Sequence, residues 1–410
     1  MDITALVLAY ARVTPPEDVR AVMQLSVLDW AACGIAGHRQ GDFDDWAASV
    51  SGSGPATRFD GRGGTVAETA LVNGTLSHAL DYDDTHFDHI GHPSVAVCPA
   101  ALAVAEAQDA PLAQMLDAAL IGAEVSVAVG LWLGRGHYQV GFHQTATAGA
   151  FGATIAAGRL MSLDDGQLRH ALGLCATMAS GLKSQFGTMG KPLNAGLAAR
   201  CGVEAAQWAQ AGLTSATDGL AGPLGFGETH HGAGADVPFD WRMGRVSHKF
   251  QACCHGLHAT LEAVRGVASR DATQIEVMTH PRWLTVCNQT APATGLGAKF
   301  SYAHVLAMVA HGYDTSDIGA YTDTCAQDPV LGTWRTRVTV TGDESLSEMQ
   351  ARVVVDGQAY IHDLDAPIPL ETRRDRIHAK ARALVGARAD KIAHAIEDGD
   401  LPRFAQLLTS

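Results

Sequence analysis

The chain has 410 residues, of which 47% are hydrophobic and 18% are charged. This composition excludes an intrinsically disordered protein, and the length allows a large core without disulfides or structural metals. The formal net charge is −14, and such an acidic excess argues against nucleic acid and anionic membrane surfaces as partners. The 44 glycines and the aromatic content of only 6% favour helices that pack closely through small residues.

The first 247 residues have a mainly helical pattern, with little of the alternation that marks strands. Helices are predicted at residues 15–36, 67–80, 93–104, 113–133, 144–160, 165–178 and 194–210. Ser162 is the predicted N-cap of the sixth helix, because a hydroxyl there can accept a backbone N–H. The fourth helix contains the most apolar run of the chain but carries Asp117 and Glu124, which predicts a buried helix rather than a membrane span.

From about residue 248 the pattern changes and includes strands. Strands are predicted at residues 274–279, 335–341, 351–355 and 358–363. The last two should form a hairpin, because Asp356 and Gly357 between them are a strong turn signal. Helices are predicted at residues 255–268, at residues 300–311 and in the tail from residue 387. The expected fold is mainly α: a large all-helical domain at residues 1–247, completed by 387–410, and a smaller α+β lid domain at 248–386.

The eight cysteines are scattered and form no CxxC motif. This distribution predicts free, buried thiols in a reducing compartment. The N-terminus has neither a basic segment nor a long apolar core, which argues against a signal peptide. We therefore expect a cytoplasmic protein.

The densest polar cluster, residues 81–94, contains four aspartates and the histidines His86, His89 and His92. Three histidines at a spacing of three could bind a metal if the segment were helical, although Gly91 and Pro93 favour a loop. The cluster could also supply helix caps. A loop that provides acid–base groups to a pocket is the favoured interpretation.

Two further clusters suggest an anionic ligand. His143 directly precedes a predicted helix, where the partial charge of the helix N-terminus attracts anions; a surface histidine is the alternative. Lys183 and Lys191 lie in a glycine-punctuated loop, within a window from residue 125 to 203 whose net charge is +4. A basic window in an acidic protein favours an anionic ligand, although these cations could also pair with acids elsewhere.

Together these clusters resemble the MmgE/PrpD family, whose members include 2-methylcitrate dehydratase, cis-aconitate decarboxylase and iminodisuccinate epimerase. The matching strings, in family order over about 230 residues, are NGTLSHALDYDDTH (73–86), GHPS (91–94), GRGHYQVGFHQTATAGAFGAT (134–154), GTMGKPLNAGLAAR (187–200), HKFQACCHGLH (248–258) and AKFSY (298–302). The resemblance implies a homodimer that acts on a small anionic carboxylate and uses no metal or organic cofactor.

The resemblance also implies the site residues. The decarboxylase pattern points to Asp81, Thr85, His92, His143, Lys191, Lys249 and Tyr302, and the epimerase pattern points to Tyr82 and Tyr138 as a proton-transfer pair. The expected catalytic residues are therefore His92, His143, Tyr138, Tyr302 and Asp81. The expected substrate-binding residues are Thr85, Lys191, Lys249 and Tyr82. Gln144 departs from the family, which often has proline after the histidine.

The chemistry implied by the family is proton transfer at a carbon next to a carboxylate. Removing that proton builds an enediolate, which fixed cations stabilise, and histidines suit the transfer because they titrate near neutrality. We expect a cofactor-independent lyase, either a dehydratase or a decarboxylase, acting on a small di- or tricarboxylate. An epimerase of an amino- or imino-dicarboxylate is the alternative. A non-catalytic carboxylate-binding protein and a metal-dependent hydrolase built on His86, His89 and His92 are competing hypotheses of other classes.

Overall fold

A computed structural model describes residues 2–50 and 52–409. The chain divides into two compact units, one formed by Met1–His248 with Ile377–Ser410 and the other by Lys249–Arg376. The fold is mainly helical with small sheets, which confirms the expected class. The assignment of domains stays a prediction; in the structure the chain returns to the first unit within a helix.

The first unit is built from helices that follow one another closely in the chain. Their bounds are α1 Ile3–Arg12, α2 Glu17–Arg39, α3 Asp44–Ser49, α4 Val66–His78, α5 Pro93–Ala107, α6 Leu112–Gln139, α7 Gln144–Leu160, α8 Asp165–Met178, α9 Gly190–Gln210 and α10 Phe226–Thr229. A two-stranded ribbon, β1 (Ala56–Thr57) and β2 (Gly63–Gly64), precedes α4. The predicted helices from 15 to 210 are present, whereas α1, α3, α10 and the ribbon were not predicted.

Helices α4, α5, α6, α7 and α9 form the centre of this unit and pack against one another. Glycines permit the closest crossings. A Cβ on Gly122 of α6 would lie 2.6 Å from the carbonyl oxygen of Gly152 in α7, and a Cβ on Gly74 of α4 would lie 2.8 Å from Cα of Gly196 in α9. The high glycine content therefore serves close helix packing, as the composition indicates.

Two helix starts are fixed by capping boxes, in which an N-cap side chain and the third helical residue bond each other's backbone N–H. Thr65 and Glu68 cap α4, and Asp164 and Gln167 cap α8. The predicted N-cap Ser162 is wrong. The reason is that Asp164 directly precedes the helix and its carboxylate accepts the N–H of Gln167 at 2.8 Å.

The second unit combines short helices with one mixed sheet. Its strands are β3 Ile275–Thr279, β4 Val338–Gly342, β5 Gln350–Val355 and β6 Gln358–Asp363, in the order β4-β3-β5-β6. Strand β3 runs parallel to β4 and antiparallel to β5. The β5–β6 hairpin is confirmed, with positive φ at Asp356 and Gly357. The predicted strand at 335–341 begins too early, because helix α16 extends to Arg335.

The helices of the second unit are α11 His258–Ala263, α12 Pro281–Val286, α13 Gly295–Ala298, α14 Tyr302–Ala310, α15 Asp323–Ala326 and α16 Pro329–Arg335. Helix α17 (Leu370–Val385) then carries the chain back into the first unit, where α18 (Arg388–Asp398) and α19 (Leu401–Leu408) follow. The predicted helical tail is present, but α17 was not predicted.

Candidate active site

Four helix ends meet in the first unit. Helix α4 ends at His78, α5 begins directly after His92, α7 begins directly after His143, and Lys191 lies in the first turn of α9. The ring centroids of His78 and His92 are 4.5 Å apart, and those of His78 and His143 are 6.0 Å apart. Because each helix N-terminus carries partial positive charge, three of them together favour an anion.

Asp81 links Lys191 to His92. Its Oδ2 lies 2.7 Å from Nζ of Lys191, and its Oδ1 lies 3.5 Å from Nε2 of His92. Asp81 has φ 50, a left-handed conformation that aspartate tolerates better than most residues. The turn after α4 therefore presents its carboxylate to the start of α9. The side chain of Asp81 is 42% exposed, so this end of the cluster is open to solvent.

Asp83 lies on the buried side of the same cluster. Its Oδ1 is 2.9 Å from Nδ1 of His78, and its Oδ2 is 2.7 Å from Nδ1 of His92. Burial alone would raise the pKa of Asp83, but the charges of His78 and His92 and their hydrogen bonds hold that pKa well below its ordinary value. Asp83 is therefore an ionised carboxylate shared by two imidazoles.

His143 is buried beside the other two histidines. Asn194 donates from Nδ2 both to Nδ1 of His143, at 3.3 Å, and to the carbonyl of Leu182, also at 3.3 Å. Burial, followed by the charges of His78 and Lys191, lowers the pKa of His143 well below its ordinary value. His143 is thus a neutral imidazole that accepts at Nδ1, which places its proton on Nε2.

Thr85 and Tyr82 lie in the loop that carries the two aspartates. The backbone N–H of Thr85 donates to the carbonyl of Ser247 at 2.9 Å, and the two residues pair as an isolated bridge. Tyr82 is only 1% exposed, and Nζ of Lys380 lies 4.0 Å from its ring centroid. Both residues are positioned by contacts within the first unit.

Tyr138 is partly buried in the last turn of α6. Lys183 donates from Nζ to the backbone carbonyl of Tyr138 at 3.0 Å, and the same amine lies 3.9 Å from the tyrosine ring centroid. Gln144, the residue that departs from the family pattern, donates to the carbonyl of Gly134 at 3.0 Å. These contacts tie the segment between α6 and α7 to its neighbours.

Lys249 and Tyr302 belong to the second unit. Both are buried, and Tyr302 donates its hydroxyl proton to the carbonyl of Gly256 at 2.7 Å. Burial raises the pKa of Tyr302 far above its ordinary value, so the phenol is strongly held in its neutral form. The catalytic assignment of Tyr302 and the binding assignment of Lys249 stay predictions.

In the part of the chain that the structure describes, the groups that could hold a metal are His78, Asp81, Asp83 and His92, whose ligand atoms lie within 4.8 Å of one another. In the structure these atoms are paired with one another instead. The amine of Lys191, 2.7 Å from Asp81, adds a positive charge that opposes a cation at this place. We therefore interpret the cluster as an acid–base network.

The histidines proposed for a metal-dependent hydrolase are arranged differently. His86 donates from Nε2 to the carbonyl of Arg242 at 3.0 Å, and the rings of His86 and His89 are 6.0 Å apart. Among the described residues, His86, His89 and His92 do not form a set with metal-ligand spacing. The geometry of these three histidines gives the hydrolase hypothesis no support.

Sequence reasoning missed two members of the cluster, His78 and Asp83. Both lie in the string NGTLSHALDYDDTH, and they are five residues apart. The sequence did contain a signal, because a histidine at the end of a helix is followed within one loop by several aspartates. If the chain turns back after the helix, one of these carboxylates can reach the histidine. Only the left-handed turn at Asp81 decides which aspartate does so.

Comparison with family models decides the relationship. The N-terminal domain of the MmgE/PrpD family matches residues 1–236, and its C-terminal domain matches residues 251–398. The chain belongs to the MmgE/PrpD family. This membership confirms the resemblance inferred from the sequence.

Several members of the family are similar to this chain. The cis-aconitate decarboxylase of Aspergillus terreus is 25% identical over 432 residues, covering 92% of this chain and 87% of that protein. The cis-aconitate decarboxylase of Homo sapiens is 34% identical over 163 residues, which cover 38% of this chain and 34% of that protein. That of Mus musculus is 33% identical over 150 residues, or 35% of this chain and 30% of that protein.

Within residues 2–50 and 52–409, two helices are long and apolar enough to cross a membrane by length and composition, α2 and α6. However, 78% of the apolar window of α2 and 89% of that of α6 is buried inside the fold. Such burial is typical of core helices, which agrees with the prediction of a buried helix at 113–133. A cytoplasmic location stays a prediction.

Proposed function

We propose that this MmgE/PrpD protein is a cofactor-independent lyase that transfers a proton at a carbon next to a carboxylate of a small di- or tricarboxylate. The observation that carries the proposal is the contact of Asp81 with both Lys191 and His92, at the open end of a cluster formed by three helix N-termini. This arrangement combines a cation for a carboxylate with an imidazole for a proton. Both are needed to form an enediolate.

The general reaction class in this proposal, a lyase, has independent support. Membership of the family, together with relatives that are cis-aconitate decarboxylases, supports a lyase of the dehydratase or decarboxylase type. The names of those relatives make cis-aconitate the first substrate to test. An identity of 25% leaves room for a different carboxylate, so 2-methylcitrate belongs in the same test.

In the proposed mechanism, a substrate carboxylate takes the place of Asp81 beside Lys191. Nε2 of His92 then accepts the proton from the neighbouring carbon. His143, which is neutral and protonated on Nε2, donates a hydrogen bond to the oxygen on which negative charge develops. In a dehydration, the neighbouring hydroxyl then leaves as water, with a proton returned by the His92 imidazolium. In a decarboxylation no proton is removed first: CO₂ leaves, its bonding electron pair forms the enediolate, and a protonated His92 donates a proton to the carbon.

The test is proton NMR of the purified protein in D₂O with cis-aconitate, 2-methylcitrate and iminodisuccinate in separate samples. Conversion of one of the first two to an alkene, a hydrated product or a decarboxylated product supports the lyase and names its substrate. Deuterium exchange at the carbon next to the carboxylate, or interconversion of stereoisomers without elimination, would instead support the alternative epimerase. Binding without any turnover would support a carboxylate-binding protein.

The proposal also includes a homodimer, the state implied by the family resemblance. Light scattering on the purified protein measures this state directly. A monomer that turns over substrate at the full rate would refute the homodimer while leaving the lyase proposal intact.

A further inference from the structure

The carboxylate of Asp83 contacts two neighbouring imidazoles and is shielded from solvent. Its side chain is 1% exposed, and each of its oxygens has a histidine partner: Oδ1 is 2.9 Å from Nδ1 of His78, and Oδ2 is 2.7 Å from Nδ1 of His92. An amide in place of this carboxylate would have only one oxygen. Oδ2 also lies 3.0 Å from Nδ1 of His78, so one oxygen contacts both imidazoles; an asparagine would replace one acceptor oxygen by an NH₂ donor and would carry no negative charge.

The charge of Asp83 determines where the protons of the two imidazoles lie. An ionised carboxylate only accepts hydrogen bonds, so it favours a proton on each nitrogen in close contact with it, here Nδ1 of His78 at 2.9 Å and Nδ1 of His92 at 2.7 Å. In a neutral imidazole with its proton on Nδ1, the lone pair is on Nε2. In His92 that Nε2 atom lies at the open end of the cluster, 3.5 Å from Oδ1 of Asp81, which is longer than a normal N–H···O hydrogen bond and so does not fix a proton on Nε2.

We propose that Asp83 is a positioning residue that holds His92 in the tautomer whose Nε2 accepts the proton of the substrate. This inference rests on the proposed function, because it takes His92 as the base. Asp83 does not contact the substrate and acts through His92. When Nε2 gains a proton, His92 becomes an imidazolium, and the negative charge 2.7 Å from its Nδ1 stabilises that state.

His78 also holds the carboxylate of Asp83 in place. Its Nδ1 lies 2.9 Å from Oδ1 and 3.0 Å from Oδ2 of Asp83, so it restrains both carboxylate oxygens, and its ring centroid lies 4.5 Å from that of His92. Because His78 is the last residue of α4 and His92 directly precedes α5, Asp83 joins the ends of two core helices. The orientation of the base is thereby tied to rigid elements, as precise catalysis requires.

The variant that tests the proposal is Asp83→Asn, and the chain offers a matched control in Asp84→Asn. Asp84 is the next residue and is equally buried, but it bonds Ser94 rather than a histidine, with Oδ1 3.3 Å from the backbone nitrogen of Ser94. Burial raises the pKa of Asp84 to about 7. An asparagine at 84 can still accept that N–H and bond the Ser94 hydroxyl.

We expect Asp83→Asn to lower kcat about 10²-fold or more, the usual contribution of a correctly positioned general base, with KM changed less than about threefold. The acid limb of the pH profile of kcat should move to lower pH, because His92 loses a neighbouring negative charge and becomes less basic. The titratable groups around His92 are Asp81 with its partner Lys191, Asp83, His78, His89 and His143. Asp84→Asn should leave kcat, KM and the acid limb within about twofold of the wild type.

A second measurement is independent of the substrate. In protein labelled with nitrogen-15 at histidine, NMR of the ring nitrogens reports which nitrogen carries the proton, and His92→Gln assigns the His92 signals by their loss. We expect neutral His92 to be protonated on Nδ1 in the wild type. In Asp83→Asn we expect either a change of tautomer or a His92 that titrates at lower pH.

The outcomes separate this inference from the proposed function. A wild-type His92 protonated on Nε2, or equal losses of kcat in Asp83→Asn and Asp84→Asn, would overturn the positioning role. If none of the tested carboxylates is turned over, the proposed lyase fails, yet the tautomer measurement still decides whether Asp83 positions His92. A wild-type His92 protonated on Nδ1, together with a loss of kcat in Asp83→Asn but not in Asp84→Asn, supports both the positioning role of Asp83 and the proposed lyase.

Discussion

Nζ of Lys191 lies 2.7 Å from Oδ2 of Asp81. The lysine that we expect to bind a substrate carboxylate is therefore paired with a carboxylate of the protein itself. Lys191 lies in the first turn of α9, where a positive charge is unfavourable because the helix N-terminus is itself positive. Asp81 offsets this cost. A pair with one side chain 42% exposed is weak, about 0–1 kcal/mol, so a substrate carboxylate can replace Asp81 at little cost.

The first prediction concerns Lys191→Met, which keeps the length of the side chain and removes its charge. We expect KM for the carboxylate substrate to rise about 10-fold or more, since a charge-assisted contact contributes about 1.5–3 kcal/mol. Lys191→Arg should recover part of the loss because it restores the charge. Steady-state kinetics over a range of substrate concentrations gives KM for each of the two variants.

Lys391→Met is the control for the lost charge, because Lys391 lies on an exposed face of α18. It should leave KM and kcat unchanged. Equal effects of Lys191→Met and Lys391→Met would show that the net charge of the protein, and not a specific contact, attracts the substrate.

The second prediction concerns His92→Gln, which keeps hydrogen-bonding capacity and removes the titratable ring. Turnover should fall about 10²–10⁴-fold, the range that a general base contributes, whereas substrate binding measured by calorimetry should persist. His231→Gln, on an exposed loop, should behave as the wild type. Wild-type turnover by His92→Gln would remove His92 from the mechanism.

The core helices and the β5–β6 hairpin could be predicted because they depend on local signals. Periodic apolar residues mark the helices from α4 to α9, and Asp356-Gly357 marks the hairpin turn. Helix α17 was missed because its first half is highly polar: of the seven charged side chains in residues 370–385, five lie within residues 371–376. Its buried residues, including Lys380, gain their burial from tertiary contacts that no local pattern records.

Part of the candidate site could be predicted because some of its residues also depend on local sequence signals. His92, His143 and Lys191 stand at helix starts, a position that sequence signals can locate. The pairing of Asp83 with His78 depends instead on how the loop after α4 folds back. Two adjacent aspartates, Asp83 and Asp84, have opposite pKa shifts because only the first meets histidines, and the sequence alone does not distinguish them.

The third prediction concerns His89, whose ring is enclosed by two glycines. A Cβ on Gly91 or on Gly130 would lie about 2.4–2.5 Å from the histidine side chain, and neither ring nitrogen has a hydrogen-bond partner among the described residues. Burial, followed by the charges of His86 and His92, lowers the pKa of His89 well below its ordinary value. The folded protein therefore keeps His89 neutral at a pH where the unfolded chain protonates it.

Because the unfolded chain binds this proton near pH 6.5, stability should be lost as the pH falls below about 6.5, by up to about 1.4 kcal/mol per pH unit. His89→Met removes this contribution, so its free energy of unfolding should fall less steeply with acid than that of the wild type. Urea unfolding from about pH 7.5 to about pH 5.5 measures both slopes. His394→Met, on an exposed face of α18, should keep the wild-type slope; identical slopes for all three proteins would contradict the prediction.

The fourth prediction concerns the ion pair of Lys380 and Asp29, which joins α17 to α2. Nζ of Lys380 lies 2.6 Å from Oδ1 of Asp29, and each side chain is 2% exposed. Lys380 also donates to the backbone carbonyl of Tyr82, between Asp81 and Asp83. Lys380→Met leaves a buried carboxylate without its cation, so the free energy of unfolding should fall by about 3–5 kcal/mol.

The double variant Lys380→Met with Asp29→Leu separates the charge from the packing. With both charges gone, no buried ion remains uncompensated, so the double variant should be more stable than Lys380→Met alone. Urea unfolding of the wild type, both single variants and the double variant gives the coupling energy, and simple additivity of the two single losses would contradict the prediction. Because the double variant still lacks the bond to the Tyr82 carbonyl, we expect turnover to stay below that of the wild type even where stability returns.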